Sequence, residues 1–537
     1  MHRGPLLKIS PSRRAHVWQI SPAISLVALL WSCVAVGQEF SIPGQNPLTD
    51  IEEIELVYAG TQPIPKIIVR GAQSTNPFVL SSYRPLVNRL DLMVHSPIWQ
   101  STGACRVSQI KGIQPLQLRI DQLETVPCGV TWSLQAAHKN LDALSFRMLR
   151  ISGTTSNPVT IEFVDAVAGL QTGAMVDRVT GRFSLEIPLA PLAQRIDLRQ
   201  LTQLRLMTED ASDILVEELA FLGPESETRP SPSMGFWYWD YRSAIRDPEG
   251  MVAACRKQHC RRIFLQLPDL RDPDQLWAGY ARLFTMTKSA NIELFALDGA
   301  PDMIDHVPPL IEKLNRLLAL VGSQTIPGVQ LDIEPYLLDN FPEDETIFDR
   351  YLNTIDRVKT ALQGQTKLSM VIPFWFASTI HRHRPLAFSV MDRVDEITVM
   401  SYRTDVDEWL AISDDILRYG ALRAVPVWLA LETTSLLSER HVILKRERTA
   451  SLVDGTLDTV RRTLSMDTPA RQAQPEKNTM WFRIHHQTTI HPERISFFGR
   501  TEHDVQQTIA DVLARIHHSS FSGLVIHDLP GYLALQH

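Results

Sequence analysis

The run IPGVQLDIEPYLLDNF, residues 326–341, carries two carboxylates, Asp332 and Glu334, at the end of an otherwise apolar stretch. A carboxylate in apolar surroundings is costly unless it is paired, hydrogen-bonded or protonated. Two carboxyl groups held together can protonate a leaving oxygen and stabilise the positive charge that follows. Other apolar runs end in similar equipment: Asp240, Asp298, Trp375, Tyr402, Glu432 and His527, with Trp237 and Trp239 just before Asp240. Converging carboxylates, a tyrosine and indoles suit a site that protonates a glycosidic oxygen and stacks on a sugar face. The candidate catalytic residues are therefore Glu334, Asp332, Glu432 and Tyr402. The candidate substrate-binding residues are Asp240, Asp298, Trp237, Trp239, Trp375 and His527. Residues two apart on a strand share a face, so Asp332 and Glu334 point the same way while Leu331 and Ile333 point oppositely.

Something must bring these run-ends together. Beyond residue 235, strand-like runs (GFWYWDY, RRIFLQLPD, IELFALDG, GVQLDIEP, KLSMVIPFW, VDEITVMSY, AVPVWLALET, SGLVIHDL) alternate with helix-like stretches such as PPLIEKLNRLLALVG and ETIFDRYLNTIDRVKTALQG. Eight near-continuous apolar strands with helical crossovers predict a closed α/β barrel, the TIM or (β/α)8 fold, over 235–537, whose functional groups gather at the C-terminal strand ends. No Gly-rich phosphate loop follows any strand, which argues against an open doubly wound sheet. Residues 433–500 read as an insertion after the seventh strand, long enough to overhang the barrel. Residues 48–222 show short alternating runs at sandwich spacing and predict an antiparallel, jelly-roll-like β-sandwich. Residues 223–234 (GPESETRPSPSM) read as a linker.

With 537 residues, 44% hydrophobic and 21% charged, and a net charge of −7, the composition is that of a multidomain globular protein. It lacks the basic footprint of a nucleic-acid binder. Residues 1–37 combine basic residues with the run ISLVALLWSCVAV and then Ala35-Val36-Gly37, the pattern of a cleavable export signal, leaving no membrane span. LLWSC departs from a lipobox at Trp31 and SRRAH is a partial twin-arginine motif, so a secreted or periplasmic location is expected. In an oxidising compartment the four remaining cysteines favour the pairs Cys105–Cys128 and Cys255–Cys260. No metal site is expected: the cysteines lack zinc spacing, and His485, His486 and His491 share no carboxylate at ligand spacing. No cofactor motif is present, and acid-catalysed glycoside cleavage requires none.

Residues 327–334, PGVQLDIE, resemble the fourth-strand signature of glycoside hydrolase family 18, the chitinase-like barrels, D-x-x-D-x-D-x-E. The resemblance implies that Glu334 is the general acid and that Asp332 assists the substrate. VMSYR resembles the family's Met-x-Tyr-Asp and implies a role for Tyr402, and His527 stands where the family usually has a tryptophan. Pro327 and Gln330 replace the first two aspartates, and Arg403 replaces the aspartate after the tyrosine. IEP also resembles the Asn-Glu-Pro of clan A glycoside hydrolases, which would make Glu432 a nucleophile at the seventh strand. A retaining pair stands about 5–5.5 Å apart and an inverting pair roughly 6.5–9.5 Å. The 48–222 region resembles galactose-binding-like modules in pattern, and Tyr83, Trp99 and Trp132 are candidate sugar platforms or core aromatics.

The expectation is a secreted glycoside hydrolase acting on a polysaccharide or oligosaccharide, with retention favoured. Two alternatives stand beside it: a catalytically inactive glycan-binding barrel, and an exopolysaccharide export or assembly factor.

Overall fold

A computed structural model describes residues 38–536 apart from short internal stretches, the longest being 72–82 and 225–231. The expected leader, 1–37, lies outside the described residues. The chain divides into two compact units, one made of the residues up to Gly71 with Ser435–Pro492, the other of Ala72–Thr434 with Glu493–His537.

The first unit is a seven-stranded antiparallel sheet, in the order Gln38–Ser41, Thr463–Arg471, Leu452–Asp458, Thr479–Ile490, Glu439–Glu447, Ile51–Ala59, Lys66–Gly71. Ile54, Leu56, Val442, Leu444, Leu457 and Phe482 form its core. The strands Ile51–Ala59 and Lys66–Gly71 therefore belong with the inserted segment and not with the sandwich assigned from residue 48. Period-2 alternation identifies a strand but says nothing about a partner nearly 400 residues away.

One titratable cluster is built into this sheet. His441 bonds Glu55 through Nδ1 at 2.7 Å and Glu439 through Nε2 at 3.3 Å. Burial opposes its protonation, but the two carboxylates outweigh burial and lift the imidazole to about 9. A folded-state pKa above the unfolded value of about 6.5 gives stabilisation that is complete below 6.5 and lost as pH rises through 9. The thermal midpoint of the wild type is expected to fall between pH 6.5 and 9, and this fall should be much reduced in His441→Gln. Equal slopes in both proteins would show that the cluster does not titrate in that window.

The second unit opens with a nine-stranded antiparallel sheet. Its spine is the strand Met148–Val167, which pairs with Leu170–Pro188, Leu201–Thr208 and Ser212–Leu222. Phe146 and Phe163 both stack on Phe221 at 5.6 Å in its core. Trp132 is buried there, and Tyr83 packs against His517 at 4.7 Å, so both act as packing residues; the side chain of Trp99 lies outside the described residues. Cys255 and Cys260 are disulfide-bonded as expected. Cys105 and Cys128 are not: both are buried free thiols. Burial and the adjacent Cys105 push the Cys128 thiol up to about 12, which suppresses the thiolate that disulfide exchange needs.

Eight parallel strands then close into a barrel: β1 (Ser233–Tyr238), β2 (Arg262–Gln266), β3 (Glu293–Asp298), β4 (Gly328–Leu331), β5 (Lys367–Pro373), β6 (Glu396–Met400), β7 (Val427–Glu432) and β8 (Phe521–His527), with β8 returning to β1. Helices lie between them: α1 (Tyr241–Arg246) and α2 (Pro248–Lys257) after β1, α3 (Asp274–Ser289) after β2, α4 (Val307–Val321) after β3, α5 (Ile347–Leu362) after β4, α6 (Leu386–Met391) after β5, α7 (Val406–Arg423) after β6 and α8 (Glu502–Arg515) before β8. Alternation sorts each strand between two environments. In β3, Leu294 and Ala296 join the layer packed against the helices, while Phe295 and Leu297 fill the lumen with Trp237, Phe264, Val371 and Trp428. Buried charges join the antiparallel sheet to the barrel: Arg199 reaches Asp415 at 2.6 Å and Arg418 reaches Asp142 at 2.8 Å. Despite burial, these guanidinium groups hold the Asp415 carboxyl well below its usual range.

The N-terminal end of the lumen is plugged by Arg262, bonded to Glu396 at 2.6 Å and to Glu293, with its guanidinium 4.0 Å from the centre of the Phe295 ring and 4.4 Å from that of Trp428. Glu396 is buried whereas Glu293 is half exposed. Removing one partner of a buried pair strands the other charge. Glu396→Ala is expected to lower unfolding free energy by about 3 kcal/mol in denaturant titration; an unchanged midpoint would show that the plug contributes nothing to barrel stability.

Candidate functional site

The β4 end is shaped by a close backbone approach. The Asp332 amide donates to the Asp298 carbonyl at 2.9 Å, and a side chain at Gly299 would place its Cβ 2.0 Å from the Asp332 carbonyl oxygen. Glycine is thus required there. Val329, Leu331 and Ile333 are buried in the large core, while Gln330 faces the lumen; Asp332 and Glu334 follow just beyond the strand end, and both carboxylates are felt by the Tyr336 phenol.

Gln330 is a buried hub. It accepts from Trp237 Nε1 at 2.6 Å and donates through its Nε2 to Ser369 at 3.0 Å and to Thr398 at 2.9 Å. It therefore bonds across the lumen to β1, β5 and β6, a neutral amide where the resembling family carries a carboxylate. Trp237 belongs to this layer and is buried by it.

Above the hub the chain turns at Pro335 into a short 3-10 turn, Pro335–Leu337. This turn brings the Tyr336 hydroxyl back to donate to Glu334 Oε1. The Tyr336 ring stands edge-on to Trp375 at 5.0 Å and to Phe376 at 6.1 Å, in the 3-10 turn Phe374–Ala377 after β5. Burial raises the Tyr336 phenol far above its ordinary value, and the negative neighbours Glu334 and Asp332 and the nearby Tyr402 add to the rise. Tyr351 on α5 is fully buried, and its phenol is raised by burial and by the same two carboxylates. Its hydroxyl has no hydrogen-bond partner among the described residues. Two phenols thus lie in the field of the Asp332–Glu334 pair.

On the β7–β8 side, Glu432 and His527 are neighbours in register. His527 Nδ1 lies 3.0 and 2.9 Å from the two Glu432 oxygens, and Glu432 Oε1 also accepts from the Thr434 amide and hydroxyl, both at 2.7 Å. The imidazole is ringed by Trp237 at 5.8 Å, Trp239 at 6.1 Å and Tyr402 at 6.3 Å. Tyr402 therefore links the two sides of the mouth: its ring adjoins His527, and its charge state is felt by Tyr336.

Two expected members lie elsewhere. Asp298 follows the parity of Leu294 and Ala296 and faces the helices, where Lys313 of α4 bonds it at 2.8 Å. Its burial raises its pKa, against the pull of Lys313. Asp240 is exposed and caps α1, accepting from the Ser243 amide at 3.0 Å and hydroxyl at 2.6 Å. Burial works against its ionisation, yet these bonds hold its pKa below the ordinary value. The sequence reading did not single out Tyr336, Gln330 as a hub, Tyr351 or Thr434. Tyr336 follows a proline turn at which strand parity ceases to apply, and its only local signal is a phenol two residues after the acid.

No family model and no curated protein matches this chain. Among solved structures, a class V chitinase from Nicotiana tobaccum is similar over 56% of this chain and 95% of its own, at 11% identity and a TM-score of 0.32. A class V chitinase from Pseudomonas fluorescens Pf-5 matches over 56% and 96%, at 13% identity and a TM-score of 0.30. A family 11 carbohydrate-binding module from Clostridium thermocellum matches over 25% and 95%, at 12% identity and a TM-score of 0.20. At such scores these likenesses establish neither family nor activity.

Replacing Gln330 by Leu keeps the volume but deprives Trp237, Ser369 and Thr398 of their common partner. A loss of about 2–4 kcal/mol is expected in denaturant unfolding, from buried polar groups left unpaired. A stability equal to wild type would mean that the hub is dispensable.

Proposed function

We propose that the protein is an exported glycoside hydrolase with a chitinase-like (β/α)8 barrel, acting on a polysaccharide or oligosaccharide with retention of configuration. The observation that supports this reading is the pair Asp332 and Glu334 just beyond the C-terminal end of β4, with the Tyr336 hydroxyl bonded to Glu334 and its phenol in the field of both carboxylates. In this mechanism Glu334 donates its proton to the glycosidic oxygen as the carbon–oxygen bond breaks. The Tyr336 hydroxyl then stabilises the carboxylate left behind, since a hydrogen bond to the charged form favours that form. Asp332 offsets positive charge developing at the sugar carbon. For retention the sugar carbon bonds transiently to the Asp332 carboxylate as the leaving oxygen departs, and water, giving a proton to Glu334, then displaces that carboxylate. Tyr402, Trp375 and Trp239 provide the polar and aromatic walls that hold a sugar ring. Asp332 serves better than Glu432 as the second carboxylate, because Glu432 accepts three donors from Thr434 and His527 and has no oxygen poised for attack. The antiparallel sheet of the second unit is proposed as a jelly-roll-like sandwich with a glycan-binding or spacer role.

The neutral hub favours one second reading. Gln330 cannot share a proton with Asp332 as a carboxylate would, which suits a barrel that holds glycan without cutting it.

Reducing-end release from chitin oligosaccharides, mixed-linkage β-glucan and xylan separates the two. Wild-type release from one of these, falling by about 10³-fold or more in Glu334→Gln with affinity retained, is the expected result. Binding of one glycan by both proteins with no release from any would replace hydrolysis by binding.

A further inference from the structure

Resting on the reading of the barrel mouth as a glycan site, we propose that Arg403 determines specificity by binding the carboxylate of a uronic acid sugar in that glycan, at the lip between the β5 and β6 strand ends, with Arg494 beside it. Three observations carry this. First, the guanidinium is built into the lip. Arg403 follows Tyr402 directly, its Nη1 donates to the Tyr402 carbonyl at 2.7 Å, and its guanidinium carbon stands 5.0 Å from the centre of the Phe374 ring. Phe374 opens the 3-10 turn that sets Trp375 against Tyr336, the residue bonded to Glu334. Second, the charge of Arg403 is poorly neutralised. The carboxylate paired with it, Glu408 on α7, is taken by Arg494, which donates to it from two nitrogens at 2.9 and 2.6 Å; Arg403 Nε is left 3.4 Å away without a hydrogen bond. Of the three Arg403 nitrogens only Nη1 bonds a described residue. Burial lowers the pKa of Arg403; Glu408 opposes that fall and Arg494 deepens it. The neighbouring groups do not supply the missing charge: Asp405 accepts from the Glu408 amide as the cap of α7, and Arg500 adds a further cation, bonded to Thr404 Oγ1 at 3.2 Å. Third, the pair can be reached by a ligand, since the Arg403 side chain is 17% exposed and that of Arg494 56%.

A guanidinium kept only to brace the loop would take the carboxylate at hand, as Arg494 does. A planar carboxylate matches the guanidinium fork in shape as well as charge, whereas a neutral hydroxyl would leave the charge as it stands. Asp332, Glu334 and Glu432 repel an anion from the centre of the mouth, so the charged group of the sugar is held at the lip. Arg403 stands where the resembling family has an aspartate, and the exchange reverses the charge offered to the ligand.

Oligosaccharides of glucuronoxylan, hyaluronan and polygalacturonate are compared with their carboxyl-reduced counterparts, in which each carboxylate has become a neutral alcohol. Binding is measured by calorimetry on Glu334→Gln, which leaves the chains intact, and on the same protein carrying Arg403→Met, Arg403→Lys or Arg494→Gln, with thermal midpoints recorded. The expected result is that one carboxylated chain binds about tenfold to a hundredfold more tightly than its reduced counterpart, and that this ratio shrinks at high salt. The ratio should fall to about one in Arg403→Met and by about threefold in Arg494→Gln, while Arg403→Lys, which keeps the charge but not the fork, should retain part of it. Equal binding within every pair, no binding of any chain, or an undiminished ratio in Arg403→Met overturns the proposal. If Arg403→Met fails to fold, Arg494→Gln decides: an undiminished ratio there overturns the proposal. Reducing-end release by the wild type is read separately. Release that is lost in Glu334→Gln, without any preference for carboxylated chains, overturns the proposal and keeps the hydrolase reading; a preference lost in Arg403→Met, with no release from any glycan, keeps the carboxylate site and overturns hydrolysis.

Discussion

A closed barrel has no second surface to which an inward side chain can turn. Every lumenal position is either filled, paired across the lumen, or open at the mouth. Here the constraint is met in layers. Arg262 with Glu293 and Glu396 closes the N-terminal end, rings of Phe264, Phe295 and Trp428 fill the middle, and Gln330 ties Trp237, Ser369 and Thr398 together above them. Above Gln330 the strand ends carry Asp332, Glu334, Tyr402, Glu432 and His527, the residues of the proposed site. The neutral hub fills and pairs the lumen beneath the strand ends without adding a charge to it.

That mouth has two arms. On the β4–β5 side, a proline turn folds Tyr336 onto Glu334 and sets its ring against Trp375 and Phe376. On the β7–β8 side, Thr434 fixes Glu432, and Glu432 fixes His527. Tyr402 lies between them. Each arm couples one carboxylate to one titratable partner: the Tyr336 phenol donates to Glu334, and the His527 imidazole bonds Glu432.

Much of this arrangement was legible in the sequence. Eight apolar runs identified the barrel strands, and parity put Leu331 and Ile333 in the core. Parity also held the answer for Asp298, because it shares a face with Leu294 and Ala296 and so meets Lys313 among the helices. Its strand-end position suggested the mouth, but position and facing are independent properties. Asp240 shows the same ambiguity in another form: an aspartate just before a helix is a good cap, and Ser243 three residues on completes it.

What the sequence could not show depends on distance along the chain. Strand Ile51–Ala59 pairs with Glu439–Glu447, and His441 finds Glu55, across almost the whole protein; alternation contains no register information at that range. Gln330 likewise reads as a lost carboxylate until its three partners, on β1, β5 and β6, are in place. The cysteines make the same point from the side of reactivity. An even count in an oxidising compartment favours two bridges, yet Cys105 and Cys128 are buried free thiols and burial pushes the Cys128 thiol up; a count carries no information about burial. The residues that define this site are thus of two kinds, those whose role follows from facing alone and those whose role exists only once the barrel has closed.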